Sequence, residues 1–195
     1  PIPLALHERL REFVNPEVQL YTPYGSTEAL PITNIGTREI LDGAGSKTLA
    51  GDGICLGHPL PGMATKIIKL ESKALPTWEH VTLLADGEVG EVIVSGGGVS
   101  TEYRNASEAN DLSKVYQGDQ LWHRMGDLGY LDEQGRLWFC GRSGHRLNTK
   151  QGLVPAVPVE QIFIQHPAVF RAALVGIGAE EEEQGILCVE LEQGV

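Results

Sequence analysis

Residues 21–28 read Tyr21-Thr22-Pro23-Tyr24-Gly25-Ser26-Thr27-Glu28, following a short β-type run at Val18-Gln19-Leu20-Tyr21. Tyr24 to Glu28 put an aromatic ring, a glycine bend, two hydroxyls and a carboxylate within five residues. A ring stacks on a base, hydroxyls donate to a phosphate, and a carboxylate holds a hard cation. Such a grouping suits a nucleotide–Mg²⁺ site. A plainer alternative is a strand end, with Gly25 for a positive φ and Ser26 or Thr27 capping the next element. Both readings stay open on this stretch alone.

Composition narrows the class. Of 195 residues, 42% are hydrophobic and 21% charged, as expected of a globular protein with material for one or two domains. No apolar run approaches the roughly 20 residues that cross a bilayer, so no transmembrane segment is expected. Pro1-Ile2-Pro3-Leu4 lacks the basic start of a signal peptide. It also lacks an initiator methionine, from which a fragment or processed product is expected. A net charge of −11 argues against nucleic acid or an anionic membrane as the main partner. Cys55, Cys140 and Cys188 are far apart, odd in number and without metal spacing. Reduced thiols buried as small hydrophobes, in a cytoplasmic setting, are expected. The six histidines are equally scattered, which argues against zinc.

Along the chain, Leu4 to Val14 has the spacing of an amphipathic helix stopped by Asn15-Pro16. Residues 35–53, rich in Gly and Asp, read as a mobile surface loop. Gly57 to Gly62 is a turn, and Ala64 to Leu70 is strand-like. A turn at 86–91 feeds a clear strand, Val92-Ile93-Val94-Ser95. The adjoining Gly96-Gly97-Gly98 has no helix or lysine after it and reads as a crossover or bulge rather than a phosphate cradle. Asn105 or Ser107 is a candidate helix cap. Residues 126–140 form a hairpin about Glu133-Gln134-Gly135, with Leu137 and Phe139 on one side. Gly141-Arg142-Ser143-Gly144 then interrupts the pattern, a fair place for a hinge. A helix is expected from Pro158 to about His166, then strands at 169–177 and 186–191. Between those strands, Glu180 to Glu183 reads as a solvated loop. The pattern is β-rich with few helices, and its last third begins a small αβ unit.

Several spaced blocks follow one another along the chain: Tyr24-Gly25-Ser26-Thr27-Glu28; Gly57 to Gly62; Gly90-Glu91-Val92-Ile93-Val94 with Tyr103-Arg104-Asn105; Trp122 to Leu128, containing Gly126-Asp127; Gly135-Arg136-Leu137 with Gly141-Arg142; and Val157 to Pro167. In that order they resemble the AMP-forming adenylate synthetases, the superfamily of acyl- and aryl-CoA synthetases, luciferases and adenylation domains. The resemblance covers residues 20–178. It implies an α+β fold: 1–141 as the β-rich distal subdomain of the large AMP-binding domain, and 142–195 as the hinge and beginning of the small C-terminal αβ domain. It implies ATP/AMP and Mg²⁺ as cofactors. Tyr24 would pack on adenine, with Gly25 and Ser26 beside the nucleotide; Thr27 would donate to the phosphate and Glu28 would ligate Mg²⁺. Asp127 would accept from both ribose hydroxyls, and Arg142 would face ribose or phosphate with its planar donor. Thr27 and Glu28 are thereby the expected catalytic pair.

Departures qualify that picture. The family's hinge position, usually Asp or Lys, falls on Gly144. Its Gly/Ser/Thr-rich phosphate loop and its C-terminal lysine are missing, so the chain is expected to be a distal piece that does not catalyse alone. Its partners would then be the missing N-terminal and C-terminal parts of the same chain, together with a fatty acid substrate. Tyr24 to Ile32 and Gly141 to Arg146 particularly resemble the bacterial olefin-biosynthesis β-lactone synthetases, which activate a β-hydroxy fatty acid and close it to a β-lactone. A long-chain fatty acyl-CoA or acyl-AMP ligase is the alternative within the family. Outside it stands a non-catalytic β-rich interaction module or degenerate nucleotide binder.

Overall fold

The computed structural model describes residues 2–179 and 181–194. Helix α1 (Leu4–Phe13) leads into strands β1 (Tyr21–Ser26) and β2 (Ala29–Gly36), an antiparallel hairpin turning at Thr27-Glu28. The opening stretch is thus a strand itself, and the strand expected at 18–21 starts only at Tyr21. Neither Ser26 nor Thr27 caps a helix, because the next element is the strand β2.

The loop expected over 35–53 is mostly ordered secondary structure. β2 runs to Gly36, α2 (Thr37–Glu39) passes through a wide turn at Ile40–Ala44, and α3 (Gly45–Leu49) completes the segment. Thr37, Ile40, Ala44 and Gly45 recur at helical spacing, and Thr37, Ala44 and Gly45 are buried. A Cβ on Gly45 would lie 2.6 Å from the Leu4 side chain, so this glycine lets α1 pack close. His7 of α1 is buried with Nδ1 3.1 Å from Thr37 Oγ1.

β3 (Ile54–Pro59), β4 (Met63–Ile68) and β5 (Gly90–Gly96) come next, then α4 (Ser107–Ser113). The residue before α4 is Ala106 and no side chain caps it, so the expected caps at Asn105 and Ser107 do not form; Asn105 instead bends the chain at φ 57°. β6 (Lys114–Gln117), β7 (Gln120–Leu131) and β8 (Leu137–Arg142) complete an eight-stranded sheet in the order β1-β2-β3-β8-β7-β5-β4, with β6 beside β7. β5 lies between β7 and β4 and is buried on both faces, which explains its unbroken apolar run. Val92 and Val94 point into one core with Ile32, Leu56 and Leu137, while Ile93 points into a second with Ile68 and Trp122.

Past β8, a tight turn at Ser143–His145 leads to the small hairpin β9 (Leu147–Thr149) and β10 (Gly152–Val154). Helix α5 (Ala156–Phe163) and the hairpin β11 (Val169–Ile177) with β12 (Gln184–Leu191) end the fold. Much of that hairpin's apolar surface is open, including Phe170, Ile177, Val189 and Leu191. Cys55 and Cys140 are buried as expected, but Cys188 is exposed because β12 pairs only with β11. Of the acidic block, Glu180 lies outside the described residues. Glu181 and Glu182 are exposed, whereas Glu183 departs from a purely solvated role by accepting from Asn148 N at 2.5 Å. Among the described residues, no helix is long and apolar enough to cross a membrane.

Candidate functional site

β1 is an edge strand and β7 lies four places away in sheet order, yet the sheet curls enough for Tyr24 of one to reach Asp127 of the other. Tyr24 Oη donates to Asp127 Oδ2 at 2.5 Å. Arg142 is the cross-strand partner of Asp127 on β8 and donates from Nη1 to Oδ1 at 2.8 Å and to Met125 O at 3.3 Å. Gly126, at φ +65°, bends β7 just before the aspartate. Asp127 is buried while the Arg142 side chain is 56% exposed. Burial pushes the Asp127 carboxyl above its ordinary range, and hydrogen bonds from Tyr24 and Arg142 pull it back in part. Burial and the Asp127 charge together raise the Tyr24 phenol well above its ordinary value, so it remains a donor.

These three residues line a cavity of about 340 Å³ whose other walls include Gly25, Ile54, Leu56 and Phe139. An apolar slot with a carboxylate and a guanidinium at one side has the chemistry to take a flat ring bearing a diol. Each Asp127 oxygen keeps a second lone-pair direction after its bond to Tyr24 or Arg142.

Thr27 and Glu28 form the β1–β2 turn, with Thr27 exposed and Glu28 half-buried. A Cβ on Gly25 would collide with Ala29 O, so only glycine lets this hairpin close. Among the described residues, Ser26 Oγ is buried without a hydrogen-bond partner of good geometry, although it lies near enough to Glu28 to be the largest influence lowering that carboxyl; the Tyr103 hydrogen bond adds to it. Glu28 is therefore poised as a carboxylate at the mouth of the site.

The sequence placed Tyr24, Gly25, Asp127 and Arg142 together, and the structure gathers them around one cavity. Ser26 at the end of β1 and Thr27 and Glu28 on the adjoining turn do not line it. What the sequence reading missed is the wall behind Glu28. Tyr103 Oη donates to Glu28 Oε1 at 2.9 Å, and Ser100 N donates to Glu28 O at 2.7 Å. Lys114, only 5% exposed, donates to Ser100 O at 2.6 Å and lies 5.4 Å over the Tyr103 ring. Tyr103 stood in a recognised block, but nothing local signals a partner 75 residues away.

Among the described residues, no cluster of three His, Cys, Asp or Glu side chains would hold a metal by itself. Glu28 offers one oxygen beyond the one that Tyr103 engages. That donor set fits Mg²⁺, which takes one or two carboxylates and completes its octahedron with substrate phosphates and water.

No family model matches the chain. It is similar over its full length to the olefin beta-lactone synthetases of Xanthomonas campestris, at 41% identity, and Stenotrophomonas maltophilia, at 38%. In each case it spans 36% of the relative's length. Among solved structures, the O-succinylbenzoate coenzyme A synthetase of Bacillus subtilis in complex with AMP superposes with a TM-score of 0.74 at 26% identity, covering all of this chain and 35% of that one. The amide bond synthetase of Marinactinospora thermotolerans gives 0.75 at 25% identity, covering all of this chain and 36% of the other.

Proposed function

We infer that this chain, which has the sequence and fold of the C-terminal part of AMP-forming adenylate synthetases, forms the nucleotide side of an ATP-dependent acid ligase. The observation that carries the reading is the Tyr24–Asp127–Arg142 cluster on an apolar cavity, next to a turn that presents Glu28.

In this reading adenine lies against Tyr24 and the walls of the cavity, and Asp127 accepts from the ribose diol. Arg142, largely exposed and on the last residue of β8, is free to leave Asp127 for the ribose or phosphate side. Thr27 donates to the α-phosphate from the turn. Glu28 would hold Mg²⁺, which would supply charge stabilisation at the α-phosphate; the acid's carboxylate attacks that phosphorus and pyrophosphate leaves. The product of this step is an acyl-adenylate. Residues 1–141 act as part of the large domain and 142–195 as the hinge and start of the small one. The missing parts of the protein supply the phosphate loop and the acid pocket, and the 195-residue chain by itself is inactive.

The whole-chain similarity to the two olefin beta-lactone synthetases favours a β-hydroxy fatty acid, whose own hydroxyl then displaces AMP to close a β-lactone. A long-chain fatty acyl-CoA or acyl-AMP ligase is the second reading; the CoA ligases among the relatives support CoA as the acceptor but not the long chain, since the one of Arthrobacter, at 42% identity over 48% of this chain, is a 4-chlorobenzoate ligase. Glu28→Ala and Asp127→Ala in the full-length protein are each expected to lower ATP–pyrophosphate exchange by orders of magnitude. Exchange near the unsubstituted level in both variants rejects the site. Incubating the full-length protein with a β-hydroxy acid and ATP, with and without CoA, separates the two products: lactone without CoA supports the first reading, and strict CoA dependence supports the second.

A further inference from the structure

Glu28 is held twice, and by one segment. Its backbone carbonyl receives Ser100 N at 2.7 Å and its carboxylate receives Tyr103 Oη at 2.9 Å. Both holders are themselves fixed. Asn110 of α4 accepts from Tyr103 N at 2.6 Å and donates to Tyr103 O at 3.0 Å, locking the tyrosine backbone from both sides. Lys114, at the start of β6, donates to Ser100 O at 2.6 Å and Ser100 Oγ at 3.2 Å while covering the Tyr103 ring.

A lysine that is 95% removed from solvent is costly unless something requires it there. Among the described residues, no carboxylate lies within ion-pair distance of its ammonium, which bonds only to Ser100. The sheet does not need it either: β6 pairs with β7 through its backbone, and Val115 alone of its four residues enters the second core. What Lys114 contacts is the pair of residues that hold Glu28.

We propose that Tyr103 and Lys114 are positioning residues for the Glu28 carboxylate. Tyr103 fixes the rotamer by engaging Oε1, which leaves Oε2 as the oxygen for a metal. Lys114 fixes Ser100 and the Tyr103 ring, so that the turn and its side chain arrive together. Outer hydrogen-bond partners of a metal ligand change metal affinity by roughly 10- to 100-fold when removed. The proposal rests on the reading of Glu28 as the Mg²⁺ ligand.

The test uses the full-length protein and a fluorescent ATP analogue, whose binding is followed as Mg²⁺ is titrated. AMP binding in EDTA serves as the metal-free reference for the Tyr24–Asp127 side. Tyr103→Phe is expected to raise the Mg²⁺ needed for half-maximal analogue binding by about tenfold, with AMP affinity unchanged. Lys114→Gln is expected to act in the same direction. An unchanged Mg²⁺ requirement in both variants, alongside a lost Mg²⁺ response in Glu28→Gln, overturns the positioning role and leaves the ligand intact. An unchanged response in Glu28→Gln overturns the underlying reading instead. AMP affinity falling in step with the Mg²⁺ response marks a structural prop and also counts against the proposal.

Discussion

His123 is 3% exposed on β7, opposite Lys114 on β6, with its ring edge-on to Tyr103 at 6.4 Å between centroids. Its Nδ1 has no hydrogen-bond partner among the described residues. Burial and the Lys114 charge lower its pKa to about 4, against weaker opposing effects from Glu28 and the Ser113 backbone. Folding therefore favours the neutral ring. That contribution is complete above the unfolded value near 6.5 and is lost as pH falls toward about 4, by at most about 3 kcal/mol. Between pH 7 and pH 4.5 the denaturation midpoint of the full-length protein is expected to fall further than that of His123→Gln. Parallel curves would show that His123 does not titrate between the two states. The same patch shows what a sequence hides. Tyr24 to Glu28 and Asp127 were singled out by the ordered blocks they belong to, since residues 21–28 alone left two readings open. Lys114 and His123 were not, since their roles come from a cross-strand pairing that no local pattern specifies.

Among the elements, strands were legible where burial alternates or runs unbroken, as in β11 and β5, and the helix α1 where its charges interrupt the apolar spacing. Residues 37–49 were not, because four glycines between 43 and 53 pointed to a loop, whereas packing under α1 stabilises helical turns. Two of the connections between strands share one buried tie to the sheet. Arg124 of β7 donates to Glu91 Oε2 of β5 at 3.0 and 2.7 Å, and also to the carbonyls of Lys73, Leu112 and Glu71. One side chain thereby ties the loop after β4 and the end of α4 to the centre of the sheet. Burial raises the Glu91 carboxyl despite the guanidinium, so Glu91 depends on that partner to stay charged. Arg124→Met leaves a buried acid and several carbonyls unpaired, at an expected cost of about 3–5 kcal/mol in chemical denaturation. Adding Glu91→Leu is expected to restore much of it. A single variant within about 1 kcal/mol of the parent, on the order of a surface pair, would show that the network adds little.

For the molecule as a whole, the decisive question is how firmly the part after Arg142 sits on the sheet. Its ties run through α5. Gln165 donates to Leu49 O at 2.6 Å, Val157 meets Gly141, and Ile162 covers Gly51 at the end of α3. Glu160 also accepts from Leu174 N at 3.0 Å, so α5 and β11 move as one. These contacts are few, and the turn at Ser143–His145 has glycine at its centre, where no Cβ would meet any atom within 4 Å. The small-domain reorientation proposed above would need such a turn and a docking face that can part. Gly51 is the point to test it. It sits at φ +95°, and a Cβ there would stand 2.9 Å from Ile162 Cδ1. Gly51→Val is expected to lift α5 and speed proteolytic cleavage within 142–155 of the full-length protein severalfold. Gly62→Val is the control, with φ +82° but nothing within 4 Å of its Cβ, so it carries the same backbone strain without touching α5. Faster cleavage in the first variant alone locates the docking face at α5; equal rates in both mean that the segment after Arg142 is held by other contacts, and the hinge reading of 142–145 loses its support.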